Sequence, residues 1–363
     1  MSAQSPRPPV ENVLVVGGGI AALAAALAAR AFGAEVRVVG RLRGLSHRAS
    51  GAWDAGDPTT LPAPLAGPLT GLHREAQHAV IHALGSMRPL AVDARTQPLI
   101  ATAEGRLRRV ASSDDRVLDL AGKTRIAIAQ VEGCGLDARA LARSLNEQDR
   151  DGLRFFVIDV EYGRRMQDAL TNASTALARS LDDDASLARL EQALRRALGG
   201  HDVDAILMPP ILGLDRNAAQ RLGQALRVPV GEVVASHSIQ SERLTLKLEK
   251  AFRSVDGKWL NASVTKLREA KRGIVVELEG ASPSLITPQL IMATGRTLEH
   301  VEGVLVDGDA RATEGALKSE RVRYCGSMLR HLDPRQGVSL GLIAASGWWA
   351  GLRAARRTLL EPE

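Results

Sequence analysis

Three small residues, Gly17, Gly19 and Ala22, have the spacing of a phosphate-binding turn. Gly17 allows the tight turn, Gly19 lets the backbone approach a phosphate, and Ala22 lets a helix pack closely against a strand. Gly18 lies between them, and the start of the following helix offers N–H donors and a positive dipole end to a pyrophosphate. The turn therefore predicts a bound flavin or nicotinamide, and hence redox chemistry.

The residues at the end of the second strand do not decide which nucleotide binds. An acidic residue there usually binds the adenosine ribose, but this chain has Gly40 and then Arg41. A basic residue at this point could face the 2′-phosphate of NADP or the terminal phosphate of FMN. The alternative is that Arg41 is a solvated loop residue.

A loop after the second strand carries His47, Ser50, Gly51 and Asp54. In a flavin-binding fold this loop can reach the phosphates and the isoalloxazine ring. Ser50 and the amide of Gly51 could donate hydrogen bonds there, and His47 could take a proton or bind an anionic substrate. A lone loop histidine can also be ordinary polar surface.

Two turns in the C-terminal third are also typical of flavoproteins. An apolar strand ends at Thr294 and Gly295, where such proteins pass close to the cofactor. Gly326 occupies the position of a glycine that precedes an acidic residue holding the ribityl chain, but here Ser327 replaces the acid. Together with the N-terminal turn, these features predict a cofactor domain assembled from both ends of the chain.

The elements that must position these residues form an α/β succession. The pattern predicts strands and helices in alternation, with antiparallel strands near residues 259–278 and a last helix over residues 339–357. Residues 59–72, rich in proline and glycine, are predicted to be a loop. The other predicted elements are strands at 13–16, 35–39, 124–131, 154–160, 205–208, 228–235, 290–294 and 322–324, and helices at 20–32, 137–147, 185–198, 217–226 and 242–254.

The predicted fold is a Rossmann-type FAD/NAD(P)-binding domain, in the α/β class, with an inserted α/β domain. The flavin-binding domain is expected to be discontinuous, over residues 10–60 and 240–363. The inserted domain, over residues 61–239, would bind a substrate or a partner. At 363 residues the chain can form two such domains.

Composition excludes several other classes. The net charge of +6 is carried by scattered arginines without a nucleic-acid-binding motif, so no nucleic-acid role is predicted. The isolated Cys134 and Cys325 give no redox pair, and residues 182–184, all Asp, are predicted to complement a helix dipole rather than bind a metal. The N-terminus lacks a signal-peptide pattern and no transmembrane segment is predicted, so a cytoplasmic protein is expected, or one peripheral at the inner face of the membrane through a partner.

In sequence order, several motifs resemble those of the anaerobic glycerol-3-phosphate dehydrogenase family, in its B-type subunits. The resemblance covers most of the chain. The motifs that carry it are the N-terminal glycine turn, His47…Ser50-Gly51…Asp54, Gly133…Leu136-Asp137, Ile206-Leu207-Met208-Pro209…Gly213-Leu214, Arg243-Leu244, Gly295, Gly326-Ser327 and Asp333-Pro334.

The resemblance implies a flavoprotein subunit containing FMN, beside an FAD-binding A-type subunit and an iron–sulfur C-type subunit that passes electrons to quinone. The implied reaction oxidises sn-glycerol 3-phosphate to dihydroxyacetone phosphate. His47 would be the base, with His331 in reserve, and Arg243 and Arg48 would bind the substrate phosphate. Two regions that would border the flavin, after Gly295 and after Pro334, are shorter than the family pattern.

Two alternatives remain beside this dehydrogenase. The chain could be a non-catalytic structural or electron-relay subunit whose partner does the chemistry. It could also be a stand-alone FAD- or NADPH-dependent oxidoreductase, although no local motif for a second nicotinamide site is visible.

Overall fold

The chain divides into two compact units. A computed structural model describes residues 12–42, 49–50, 52–91, 93–148, 152–162, 173–236, 238–255, 259–280, 284–295, 304–314, 317–332 and 339–360. Unit 1 contains residues 1–47, 54–85 and 245–363, and unit 2 contains residues 48–53 and 86–244. The middle of the chain therefore forms one unit and both ends form the other, and this division places residues 61–85 with the ends rather than with the middle.

Among the described residues, unit 1 contains a four-stranded parallel sheet, two smaller antiparallel sheets and three complete helices. Its helices are α1 (Ile20–Ala31), α2 (Ala63–Leu84) and α8 (Leu340–Leu360). Its strands are β1 (Val13–Val16), β2 (Val36–Val39), β11 (Val264–Ala270), β12 (Gly273–Leu278), β13 (Leu285–Thr287), β14 (Gln289–Met292), β15 (Leu305–Val306), β16 (Ala312–Glu314) and β17 (Val322–Tyr324).

Strands from both ends of the chain form the parallel sheet of unit 1, in the order β17–β14–β1–β2. Val16 pairs with Val39 on one side and with Met292 on the other, and Met292 pairs with Tyr324. All four residues of β1 are buried and apolar, as expected for an inner parallel strand. Because the strands are parallel, the turns that follow them all lie at one edge of the sheet.

Small residues let α8 cross α1 at close range. A Cβ on Gly347 would lie 2.2 Å from the carbonyl oxygen of Ala21, and one on Gly351 would lie 2.2 Å from that of Ala25. The last helix therefore packs backbone against backbone on the helix that follows the glycine turn. The alanine-rich composition of α1 serves this packing.

The predicted loop over residues 59–72 is wrong, because most of it belongs to α2. Pro64 lies in the first turn, where a helix needs no N–H donor. Pro68 lies inside the helix and removes one backbone hydrogen bond. Burial of a stripe of side chains along the helix offsets the stability lost in this way. The buried residues of this stripe are Leu65, Leu69, Ala76, Gln77, Val80, Ile81 and Leu84.

Unit 2 has its own parallel sheet, in the order β10–β9–β7–β8. Its long strands are β7 (Arg125–Val131), β8 (Arg154–Val160), β9 (Ala205–Met208) and β10 (Val230–Glu232), and short pairs are formed by β3 (Ala52–Trp53) with β6 (Ser112–Ser113) and by β4 (Leu99–Ala101) with β5 (Leu107–Arg109). Its helices are α3 (Ala138–Asn146), α4 (Ala173–Ser180), α5 (Asp184–Leu198) and α6 (Ala218–Leu226). Helix α7 (Ile239–Val255) continues from unit 2 into unit 1.

Alternating side chains of β7 supply two hydrophobic cores of unit 2. Ala127 and Ala129 join one core, with α5 and α6, while Ile126 and Ile128 join the other, with α3. This arrangement of helices on both faces of a parallel sheet is the predicted α/β fold, which is confirmed. None of the described helices is long and apolar enough to cross a membrane.

Candidate functional site

The carboxyl edge of the unit 1 sheet brings together four of the predicted cofactor-binding segments. Residues 17–19 follow β1, Arg41 lies just after β2, Thr294 and Gly295 lie just after β14, and Gly326 and Ser327 lie just after β17. Their common edge follows from the parallel pairing of the four strands. This is the position at which doubly wound sheets bind nucleotides.

The glycine turn has no room for side chains at its first two positions. A Cβ on Gly17 would lie 2.3 Å from the carbonyl oxygen of Ala293, and one on Gly18 would lie 2.5 Å from that of Arg41. Gly17 also has a φ of 150°, which L-residues rarely adopt. Glycine is therefore required for the turn after β1 to pack between the turns after β2 and β14.

The start of α1 can accept an anion. Its N-cap is Gly19, which has no side chain to cap the helix, and its first turn contains no acidic residue. In contrast, α3 is capped by Asp137, whose carboxylate accepts hydrogen bonds from the N–H groups of Arg139 and Ala140. Glycine at the N-cap supplies no capping side chain, and the positive end of the helix dipole favours a negatively charged group such as a phosphate. Ala22 is fully buried on this helix, as its predicted packing role requires.

The turns after β14 and β17 touch each other and the first turn of α1. A Cβ on Gly295 would lie 3.2 Å from Oγ of Ser327, and one on Gly326 would lie 2.6 Å from the Cβ of Ala21. The N–H of Gly326 donates to Oγ of Ser346 at 2.9 Å. The turn that carries Ser327 is thus held from α8, a contact that no sequence pattern predicted.

Arg41 is not a free cation at this edge. Its guanidinium lies 2.7 Å from a carboxylate oxygen of Glu279, in the turn after β12. Both side chains are partly exposed, with 42% and 55% of their surfaces accessible. Neither predicted role of Arg41, as a phosphate ligand or as a solvated loop residue, included this partner.

Other predicted site residues are not part of this cluster. His47, Arg48 and Gly51 lie outside the described residues. Ser50 is half-buried and belongs to unit 2. His331 belongs to unit 1 and lies, half-buried, in the turn that follows the short helix Gly326–Met328. Their predicted roles stay predictions.

Arg243 forms an internal ion pair. Its Nη atoms donate to the two carboxylate oxygens of Glu232 at 2.6 and 2.8 Å, and its Nε donates to the carbonyl oxygen of Gly213 at 2.7 Å. Burial disfavours the charged guanidinium, but the carboxylate of Glu232 outweighs it and raises the pKa of Arg243. Because only 1% of this side chain is exposed, the geometry does not support the phosphate-binding role predicted for Arg243.

Unit 2 contains an open cleft of about 930 Å³ at the carboxyl ends of β7 and β8. Among its lining residues are the guanidinium groups of Arg139 and Arg143 and four carboxylates, those of Glu132, Asp137, Asp159 and Glu161. The excess of negative charge makes this cleft a poor site for a phosphorylated substrate.

The remaining polar candidates have structural roles. Asp182 accepts hydrogen bonds from the backbone of residues 214–216, Asp183 caps α5, and Asp184 pairs with two arginines. No group of metal-ligating side chains occurs in the part of the chain that the structure describes. Burial raises the pKa of Cys134 to about 12 and also raises that of Cys325, so both thiols stay protonated at neutral pH.

A family match covers the glycine turn and the segment after it. Residues 12–93 match the protein family described as FAD binding domain, which is less than a quarter of the chain. No curated protein matches the chain.

Several solved flavoenzyme structures resemble the chain weakly. They include L-amino acid deaminase from Proteus myxofaciens (13% identity, TM-score 0.30, covering 81% of this chain and 48% of that one) and 3-ketosteroid delta1-dehydrogenase from Sterolibacterium denitrificans (14%, 0.32, 79% and 48%). Glycine oxidase from Geobacillus kaustophilus is a third (16%, 0.28, 79% and 55%). The chain spans about half the length of these structures.

The family match and the cluster at the sheet edge agree. The matched segment contains β1, the glycine turn, α1, β2 and Arg41, which supply two of the four clustered turns. The predicted flavin cofactor is confirmed by this match, in the form of FAD.

Proposed function

We propose that this chain is the flavoprotein subunit of a dehydrogenase complex that oxidises a small phosphorylated polyol, of the glycerol-3-phosphate dehydrogenase type. The observation that carries the flavin site is the convergence of four turns at the start of α1, whose N-cap is a glycine. The polyol and the complex are supported by the resemblance of the ordered motifs, from the His47 loop to Asp333.

The cofactor would be held by the residues of the sheet edge. Backbone N–H groups at residues 17–19 and the start of α1 would bind the pyrophosphate, and the turns at Gly295 and Ser327 would border the rest of the cofactor. When bound, a flavin supplies the acceptor for the hydride that leaves C2 of the polyol. In this proposal His47 takes the proton of the C2 hydroxyl, and His331 is the second candidate for that base.

The proposal includes the partners that the resemblance implies. An FAD-binding A-type subunit and an iron–sulfur C-type subunit would receive the electrons and pass them to quinone. Such partners would hold the chain at the inner face of the membrane.

A specific observation favours a second candidate, a structural or electron-relay subunit. Arg41 and Arg243, two of the arginines predicted to bind a phosphate, are each paired with a carboxylate of the chain itself. If the partner subunit binds the polyol, this chain needs no phosphate site. Electron transfer through its flavin would then be its whole function.

Anaerobic flavin reduction separates the two candidates. The purified full chain is reconstituted with FAD and mixed with sn-glycerol 3-phosphate, and the visible absorbance of the flavin is followed. The dehydrogenase predicts bleaching by this substrate and not by glycerol. An unreduced flavin that dithionite can still reduce would favour the relay subunit, and a chain that retains no flavin would overturn both the dehydrogenase and the relay.

The variant His47→Ala tests whether His47 is the general base. The matched control is His78→Ala, which changes an exposed histidine of α2. Loss of a general base should slow flavin reduction by about a hundredfold at unchanged flavin content. The control variant should reduce its flavin at the wild-type rate. An equal rate in both variants would remove His47 from the mechanism.

A further inference from the structure

The ion pair between Arg41 and Glu279 involves the residue whose backbone contacts the glycine turn. Arg41 Nη2 and a carboxylate oxygen of Glu279 are 2.7 Å apart. The backbone of Arg41 is also the closest neighbour of Gly18, since its carbonyl oxygen would lie 2.5 Å from a Cβ there. Arg41 therefore contacts the glycine turn through its backbone and the carboxylate of Glu279 through its side chain, although Glu279 is far from both in sequence.

Backbone pairing brings Glu279 to this place. The N–H of Gly40 donates to the carbonyl oxygen of Leu260 at 3.0 Å, and the N–H of Leu260 donates to that of Val38 at 3.0 Å. Leu260 thus pairs with the end of β2. The N–H of Glu279 then donates to the carbonyl oxygen of Ser263 at 2.9 Å. A main-chain hydrogen bond fixes the backbone of Glu279, and Arg41 holds its carboxylate.

The chemistry needed at this position is that of a hydrogen-bond acceptor. The adenosine ribose of a dinucleotide presents two hydroxyl donors at the end of the second strand, where an acidic residue usually accepts them. This strand is followed by Gly40 and Arg41, which supply no carboxylate. An ionised carboxylate has about four acceptor sites, so the carboxylate of Glu279 can hold the guanidinium and still accept from hydroxyls.

We propose that Glu279 supplies the carboxylate that binds the adenosine ribose of FAD, and that Arg41 positions it. The inference rests on the flavin site proposed above. The pair selects for the adenosine part of the cofactor, because FMN has no adenosine ribose to donate to the carboxylate and because a carboxylate repels the 2′-phosphate of NADP at the same position. It therefore favours FAD over FMN, and an unphosphorylated ribose over the 2′-phosphate of NADP.

The experiment measures Kd for FAD and for FMN on the flavin-free full chain, by quenching of flavin fluorescence. Glu279→Gln keeps the shape of the side chain and removes its charge. FAD should bind about tenfold or more weakly to this variant, because hydrogen bonds to a charged acceptor are lost. FMN has no adenosine ribose, so its Kd should equal that of the wild type.

The matched control is Glu249→Gln, which removes a carboxylate from another ion pair of unit 1, with Arg253 at 2.6 Å. This variant should bind both flavins as the wild type does. Thermal unfolding of the flavin-free proteins checks that both variants fold.

Three results would overturn the inference. An unchanged Kd for FAD in Glu279→Gln, or an equal loss of FAD and FMN affinity, would remove the ribose contact while leaving the flavin site intact. A wild-type chain that binds neither flavin would instead overturn the proposed function, and the inference with it.

Discussion

The guanidinium of Arg243 and the carboxylate of Glu232 form a two-point ion pair that is closed to solvent, with exposures of 1% and 0%. The side-chain amide of Gln240 and the N–H of Leu212 also donate to this carboxylate, at 3.0 and 2.5 Å. Because Arg243 also holds Gly213, the network fixes the segment that follows β9. An arginine in this position stabilises unit 2 from within.

Arg243→Met should therefore destabilise the protein strongly. The substitution leaves the charge of Glu232 buried without its counter-ion, which costs about 3–5 kcal/mol of unfolding free energy. Urea denaturation measures this loss. Replacing both residues, in Arg243→Met with Glu232→Leu, should restore part of it.

An exposed pair of unit 2 provides the control. Arg139 donates to both carboxylate oxygens of Asp159 at 2.9 Å, but both side chains are more than 60% exposed. Arg139→Met should cost less than about 1 kcal/mol. Similar losses for Arg139→Met and Arg243→Met would contradict the structural role of Arg243.

Gly17→Ala should damage unit 1 at the nucleotide turn. The new methyl group would collide with the carbonyl oxygen of Ala293, and the backbone at this residue is one that alanine rarely adopts. Strain of this kind costs about 1–3 kcal/mol, and the collision adds to it. We expect lower urea stability and lower flavin content in the purified protein.

Gly71→Ala makes the same chemical change at a harmless place. Gly71 lies inside α2, and a Cβ there would meet no atom within 4 Å. Alanine should raise the unfolding free energy by about 0.5–1 kcal/mol, because it favours the helix. A Gly17→Ala protein as stable as Gly71→Ala would refute the packing described for the turn.

Ser346→Ala should weaken the turn that carries Ser327. Oγ of Ser346 accepts the hydrogen bond of the buried Gly326 N–H and donates to the carbonyl oxygen of Ile343 at 2.8 Å. Without it, the Gly326 N–H is buried and unsatisfied, at a cost of about 1–3 kcal/mol. Thermal unfolding measures the loss, and flavin titration shows whether the turn contributes to cofactor binding.

Ser254→Ala is the control for this prediction. Oγ of Ser254 makes the same bond within its own helix, to the carbonyl oxygen of Ala251, but the residue is exposed and holds no neighbouring N–H group among the described residues. Its loss should change stability by only a few tenths of a kcal/mol, as for most exposed residues. Equal losses of stability in the two variants would show that the hydrogen bond from the N–H of Gly326 to Ser346 contributes little to the free energy of unfolding.

Sequence patterns predicted the strands and helices whose formation depends mainly on neighbouring residues in the chain. Apolar runs and the glycine spacing located β1, α1 and β2 to within a residue, since a buried parallel strand and a glycine turn leave clear signals. Helix α2 was missed because Pro64, Gly67 and Pro68 are breakers by propensity, and only the buried face of the folded helix outweighs them.

Side-chain partners could not be predicted in this way. Glu279 follows Arg41 by 238 residues, and they meet because Leu260 pairs with the end of β2 and the nearby Ser263 accepts a hydrogen bond from the N–H of Glu279. The resemblance singled out Arg243 as a phosphate ligand, but nothing in the sequence indicated its carboxylate partner Glu232 on β10. Such pairings depend on tertiary structure. This is why the predicted cofactor turns lie together, whereas Arg41 and Arg243 are each paired with a carboxylate that the sequence did not reveal.

Asp204 should make the stability of unit 2 depend on pH in acid solution. Its carboxylate accepts hydrogen bonds from the hydroxyl of Thr124 at 2.6 Å and from the N–H groups of Arg125 and Thr124 at 2.9 and 2.8 Å, which lower its pKa to about 2. A carboxylate whose pKa is lower in the folded state stabilises the fold above its unfolded pKa of about 3.9. This contribution is lost as the pH falls through the folded value.

Asp204→Asn should therefore be less stable than the wild type near neutral pH, and the difference in urea midpoint should shrink between about pH 4 and about pH 2. Asp202→Asn is the matched control, because this carboxylate is 95% exposed and lies 4.0 Å from its nearest partner, Arg125. Its urea midpoint should follow that of the wild type at every pH. A difference for Asp204→Asn that persists unchanged to the lowest pH would show that the carboxylate charge is not what stabilises this corner of the sheet.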